Sequence, residues 1–305
     1  MTAIDVQSRP WRAYRAYGLG IRSRIALPEL TPDAMGQIDV TIHLEPGRSG
    51  EIRESALYLD RDEMRLDLPN ARYRVRQGRE IIVEPVGEVP ERDLRAHLLG
   101  SVMGAIFHQR GLTPLHAGAI EVDGAAVALA GPSGAGKSTL VACLEDMGRR
   151  ALCDDICVVD FDAAGAPRTW PGSRGIKLWR DAILALGRET GGAEPVYGDL
   201  DKFSLPMAGA AQGESPIPLA RIYVLRRSTG DDGIRRLRGA EAVDAILSNV
   251  YRWDWAIGMG RARASFEACA ALARRGEIFV VDRSWGFDGL RSQAEAIERH
   301  MARLG

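Results

Sequence analysis

Gly131-Pro132-Ser133-Gly134-Ala135-Gly136-Lys137-Ser138 satisfies the pattern G-x-x-x-x-G-K-[ST] at every fixed position. In such a loop the glycines let backbone N–H groups wrap phosphate oxygens. A helix starting at the lysine adds the positive end of its dipole. The flanks agree with this reading: residues 125–130 form an apolar, strand-like run, and residues 137–147 are helical and stopped by Gly148. Lys137 is expected to reach the β- and γ-phosphates of ATP or another nucleoside triphosphate, and the Ser138 hydroxyl to ligate Mg2+. Gly131, Ser133, Gly134, Ala135, Gly136 and Thr139 complete the expected nucleotide-binding set.

Moving outward, Asp154 and Asp155 close the short apolar run 151–153. Two adjacent carboxylates at a strand end are costly to bury unless a cation lies between them. A strand following the loop's helix brings its C-terminal end near the phosphates. One Asp is then a candidate Mg2+ ligand and the other a candidate general base for an attacking hydroxyl; these residues alone leave open which is which. Upstream, His116 opens the apolar run 115–122, where an imidazole can orient a carboxylate or hold its proton.

Composition narrows the class. The chain has 305 residues, 46% hydrophobic and 27% charged, with a net charge of −1, which excludes wholesale disorder and nucleic-acid binding by bulk charge. Its longest aliphatic run, 125–130, is far short of the roughly 20 residues of a membrane span. Residues 1–17 lack the apolar stretch of a secretory signal, and four cysteines make no disulfide framework. The expectation is a cytoplasmic protein with neither a nucleic acid nor a membrane as partner. Only three of the 40 basic residues are lysine: Lys137, Lys177 and Lys202. Against that arginine bias each lysine is a candidate for a site that needs a compact ammonium. Arg174, Lys177 and Lys202 are candidate groups for stabilising charge on a transferring phosphoryl.

Secondary-structure signals divide the chain at about residue 110. Residues 17–24, 38–44, 55–59, 63–68, 71–76 and 80–84 read as short strands, followed by one helix over 91–109. Beyond it, strands at 115–122, 125–130, 151–153, 156–161, 217–226 and 277–282 alternate with helices at 137–147, 241–257, 262–274 and 290–304; 190–194 and 208–216 read as loops. The fold class expected is α/β: a strand-rich N-terminal domain (1–110) and a three-layer P-loop domain (111–305).

The ordered set Leu115-His116-Ala117-Gly118-Ala119-Ile120, the loop Gly131 to Ser138 and the pair Asp154-Asp155 resembles the catalytic core of the HPr kinase/phosphorylase superfamily over about residues 112–205. Two further stretches, 15–30 and 251–260, resemble HPr-kinase-like proteins associated with lasso-peptide biosynthesis. The resemblance implies a sheet of the phosphoenolpyruvate carboxykinase type. It also implies an ATP/Mg2+-dependent serine kinase in which Asp155 is the general base paired with His116, and Asp154 and Ser138 hold the metal. Its implied substrate is the C-terminal serine of a precursor peptide. One departure stands out: Trp170-Pro171-Gly172-Ser173-Arg174-Gly175 keeps an Arg-Gly but lacks the Glu of HPr kinases at that place. This weighs against HPr as substrate and against the reverse reaction. A regulatory kinase of HPr type and a nucleotide-sensing module without transfer remain the alternatives. The N-terminal part is expected to present substrate or to assemble a homo-oligomer.

Overall fold

Alternating burial gives the N-terminal strands one core face. In Val40–Leu44 the residues Val40, Ile42 and Leu44 are buried while Thr41 and His43 are half-exposed; Ala71–Arg76 buries Ala71, Tyr73 and Val75 in the same way. A computed structural model describes residues 9–34, 36–47, 52–208, 215–228 and 232–302. Its first eight strands are β1 (Arg12–Ala16), β2 (Leu19–Ser23), β3 (Thr31–Pro32), β4 (Val40–Leu44), β5 (Ala56–Leu59), β6 (Glu63–Leu68), β7 (Ala71–Arg76) and β8 (Glu80–Pro85). They form one sheet in the order β3-β1-β2-β4-β8-β7-β6-β5. The stretch 17–24, read from sequence as a strand, begins with a turn instead: Tyr17 and Gly18 both have positive φ, and β1 and β2 pair across them.

The core face of this sheet is covered by α1 (Glu91–His97) and α2 (Met103–Gln109), which contribute Leu94, Met103, Ile106 and Phe107 to its apolar cluster. The single helix expected over 91–109 is interrupted. Residues Leu98–Val102 form a wider turn in which Gly100 leaves helical geometry at φ −102°, ψ −105°. The apolar periodicity continues through the break, so the sequence shows no sign of it. The same cluster takes in Ile156, Val158, Trp255 and Met259 from the second half of the chain.

The second sheet contains β9 (Thr113–Leu115), β10 (Ala117–Val122), β11 (Ala125–Ala130), β12 (Arg150–Cys153), β13 (Cys157–Phe161), β14 (Pro167–Thr169), β17 (Ile217–Arg227), β18 (Gly233–Arg236) and β19 (Glu277–Arg283). A separate hairpin pairs β15 (Gly175–Trp179) with β16 (Lys202–Pro206). The helices of this half are α3 (Lys137–Asp146), α4 (Arg180–Ala185), α5 (Gly239–Leu247), α6 (Trp253–Gly258), α7 (Ala262–Arg275) and α8 (Leu290–Ala302). Strand β11 shows why its sequence is continuously apolar. Val127 and Leu129 pack with α3 and α8 on one face, and Ala126, Ala128 and Ala130 pack with α5 and α7 on the other. The protein is thus a mixed α/β structure with several sheets. No helix among the described residues is long and apolar enough to cross a membrane.

Two further expectations change. The run 115–122 is two strands, β9 paired with β13 and β10 paired with β11 and β12, with His116 at the break. The helix expected over 241–257 is two helices, α5 and α6, separated by a segment in which Arg252 has φ +54°. That segment is held elsewhere: Tyr251 N–H donates to Pro114 O, and Leu115 pairs with Val250. Most of the loop expected at 208–216, and residues 303–304 of the expected closing helix, lie outside the described residues.

Candidate active site

Strand direction gathers the site. Strands β11 and β12 both run antiparallel to β10, so they are parallel to each other; β17 and β19 also run parallel to β11. The glycine-rich loop after β11, the Asp pair after β12 and Arg283 at the end of β19 therefore emerge on one side of the sheet. His116, which precedes β10, comes to the same side. Ligands in α/β sheets bind at such carboxyl ends.

The loop has the backbone its glycines permit. Gly131 has φ +148°, and a side chain there would begin 2.9 Å from Leu225 O on β17. Gly136 has φ +80° at the start of α3, where a Cβ would lie 3.2 Å from an Arg283 nitrogen. Ser133 and Gly134 are exposed, whereas Lys137 is buried. The Lys137 ammonium donates to Gly131 O at 2.8 Å and Pro132 O at 3.0 Å, folded back on its own loop. Burial pulls its pKa down to about 8, against the attraction of Asp155 and Asp154.

The two aspartates differ sharply. Asp154 is 4% exposed; it accepts from the Ser138 hydroxyl at 2.7 Å and from the Lys177 backbone N–H at 2.8 Å. Burial, then the neighbouring Asp155, raises its pKa. Asp155 is partly exposed and sits at φ +72°, with Ile156 N–H bonded back to Asp154 O at 2.9 Å. This is a tight three-residue turn of the strained kind, held at a non-glycine residue, and such strain gathers at functional sites. The Asp155 carboxylate meets the Lys177 ammonium at 3.2 Å and His116 Nδ1 at 3.3 Å. Burial alone would raise its pKa, but the Lys177 charge, then the His116 bond, outweigh it and hold it well below the usual carboxylate range. His116 Nδ1 also lies 3.1 Å from Asp155 O. Both neighbours are acceptors, which assigns the ring proton to Nδ1.

Lys177 thus touches both aspartates, one through its backbone and one through its side chain. Lys202 stands on the partner strand of the same hairpin, opposite Trp179, with its ammonium 5.8 Å from that ring. A cavity of about 320 Å3 is lined by the loop residues 133–139, His116, Asp155, Lys177 and Lys202. Arg174 is not among them. It lines a second cavity of about 340 Å3, on the other side of the Asp pair, with Tyr17, Glu29, Arg92 and Arg95 of the N-terminal half. Asp155 and Lys177 line both cavities.

Sequence reasoning missed several contributors. Arg283 is 3% exposed and lines the loop cavity, with a nitrogen 3.4 Å from Ala135 O under the loop. Trp179, Trp285 and Phe287 line the same cavity with exposed rings that can cover a nucleobase. No spacing rule links residues near 283 to a loop at 131. Tyr251 is a further case. Its ring centroid lies 5.7 Å from that of His116, it lies against Gly104 of α2, and its carbonyl is 2.8 Å from His108 Nε2. Arg252 packs over Trp255 and donates to Ser101 Oγ at 2.7 Å, a packing role.

The residues suit a hard divalent cation. Ser138 and Asp154 offer a hydroxyl and a carboxylate oxygen, and a cation beside Asp154 would offset the burial and the Asp155 repulsion that raise its pKa. No group of three or more His, Cys, Asp or Glu is arranged as a metal cluster among the described residues, so any ion here needs oxygens from nucleotide or water. The four cysteines are buried and unpaired, including Cys153 and Cys157 on either side of the Asp pair.

Comparison with solved structures finds similarity to the HPr(Ser) kinase/phosphatase from Coxiella burnetii, at 11% sequence identity and a TM-score of 0.34. The match covers 63% of this chain and 99% of that one. No family model and no curated protein matches the chain.

Proposed function

We propose that the protein is an ATP- and Mg2+-dependent kinase that phosphorylates a serine hydroxyl, and that its acceptor is the C-terminal serine of a lasso-peptide precursor. The observation that carries the reading is the position of Asp155 and Lys177, which line both the phosphate-loop cavity and the cavity beyond it. A nucleotide in one and a hydroxyl in the other meet at a carboxylate. Pure nucleotide sensing has no use for that arrangement.

In this reading the loop N–H groups and Lys137 bind the phosphates, which draws Lys137 off the carbonyls of Gly131 and Pro132. Ser138 and Asp154 would hold Mg2+, which neutralises charge on the phosphates. Asp155 accepts the serine proton as the serine oxygen bonds to the γ-phosphorus and the bond from that phosphorus to the ADP oxygen breaks. His116, bonded to Asp155, orients the carboxylate. Lys177 and Lys202 face the developing charge.

The test is mass spectrometry of a serine-terminated precursor peptide, its Ser→Ala version and HPr after incubation with ATP and Mg2+. The expected result is a gain of one phosphoryl group, about 80 Da, on the first alone, lost in Lys137→Arg because a guanidinium does not fit where the ammonium meets the phosphates. Phosphate on HPr and not on the peptide would replace this acceptor with a folded protein. Tight ATP binding with no transfer to any of the three would leave a sensing module.

A further inference from the structure

The cavity beyond Asp155 holds one guanidinium, that of Arg174, which its carboxylates leave unpaired. Its N-terminal wall comes from Pro28 and Glu29 and from α1, and its opposite wall from the start of the β15–β16 hairpin. The two are stitched together: Arg174 N–H donates to Glu29 O at 2.7 Å, and Tyr17 N–H to Pro171 O at 2.7 Å. Four cations line the space, and three are engaged. Arg95 pairs with Glu29 at 2.8 Å, Lys177 with Asp155 at 3.2 Å, and Arg92 lies 3.6 Å from Asp93 and 3.9 Å from Glu194. The Arg174 guanidinium has no ion pair or hydrogen bond among the described residues, and its Nε is buried without a partner. A guanidinium left unpaired in a half-enclosed space is poised for an anion with two parallel oxygens.

The shared cavity fixes which groups that anion sits among. Arg174 and Asp155 line the same space, and Lys177, three residues after Arg174, holds Asp155 at 3.2 Å. An anion on Arg174 therefore shares that space with the hydroxyl presented to Asp155. We infer that the Arg174 cavity is a carboxylate site, and that the acceptor is a chain end whose terminal carboxylate is gripped by Arg174 while the side-chain hydroxyl of the same residue faces Asp155. This rests on the kinase reading above and deepens it: terminal position, rather than surrounding sequence, is what the protein recognises.

The test uses one synthetic peptide ending in serine, prepared as the free acid and as the C-terminal amide. Each form is assayed for transfer, and for binding by calorimetry in the presence of ADP and Mg2+. The wild-type protein is expected to favour the acid in kcat/KM by about 10- to 100-fold, the range of a lost charge-assisted hydrogen bond. Arg174→Gln is expected to lower kcat/KM for the acid far more than for the amide, so that the preference collapses. The comparison in wild-type protein stands even where that variant folds poorly. Equal transfer to acid and amide overturns the carboxylate site and leaves the kinase standing. Tighter binding of the acid without transfer to either form overturns the kinase and leaves the site standing. Equal or absent binding together with no transfer overturns both.

Discussion

Asp155 is the residue on which the chemistry turns, and its neighbours set its charge. Burial raises its pKa, while the Lys177 ammonium and the His116 bond lower it by more. The carboxylate therefore stays ionised across the neutral range. A carboxyl depressed in the folded state stabilises the fold above its unfolded value of about 3.8, and that contribution is lost as pH falls through the lower folded value. Lys177→Met removes the strongest lowering influence and leaves the burial. The residual activity of this variant is expected to fall off on acidification at a higher pH than the wild-type rate does, because Asp155 takes up its proton more easily; pH–rate profiles of kcat/KM check it. Parallel profiles for the two proteins would remove Lys177 as the group that sets Asp155. Both aspartates and Lys177 stand out in the sequence as types and positions. Their division of labour does not, because it depends on which oxygen meets which donor across 22 or 23 residues of chain.

At the scale of elements, the interrupted helix between α1 and α2 has a use. Gly100 in the break and Gly104 on α2 leave room for Tyr251: a Cβ at Gly104 would lie 3.0 Å from the Tyr251 ring, and one at Gly100 would lie 3.4 Å from its hydroxyl. Tyr251 backs His116, so the helix sets the imidazole from behind. Gly104→Val forces the ring to move. We expect turnover to fall about 10- to 100-fold, the scale of a sub-ångström to ångström misplacement, with the nucleotide Kd unchanged, since the phosphate loop is elsewhere. Stability is expected to drop by about 1–3 kcal/mol from overpacking. Steady-state kinetics beside nucleotide titration distinguish this from general damage, which would move both numbers. A helix was legible over these residues; the break and its partner were not, because Gly100 and Tyr251 are about 150 positions apart in sequence.

For the whole molecule, one apolar cluster joins the N-terminal sheet to residues of the second half. Trp255, 3% exposed on α6, packs in the core of the first sheet together with Met259, Ile156 and Val158. Unfolding is therefore expected as one cooperative transition. Trp255→Ala should cost about 3–5 kcal/mol, as for a large aromatic deleted from a core. Denaturant melts followed by circular dichroism test this: two separated transitions in the wild type, or a loss confined to one of them in the variant, would mean that the halves fold independently.

The sequence by itself determined the phosphate loop, the strand before it, the helix after it and the acidic pair, because each depends on neighbours within a few positions. Glycine at positive φ, a helix start and a strand end are local facts of the backbone. The tertiary structure decided the rest. It put His116 in a break between two strands rather than at the head of one. It placed Arg283 under the loop and Arg174 in a cavity facing the N-terminal half. It made one core from residues on both sides of position 110. The reason is physical: strand pairing and side-chain packing join residues far apart in the chain, and periodicity records only which faces are apolar, never which partner covers them.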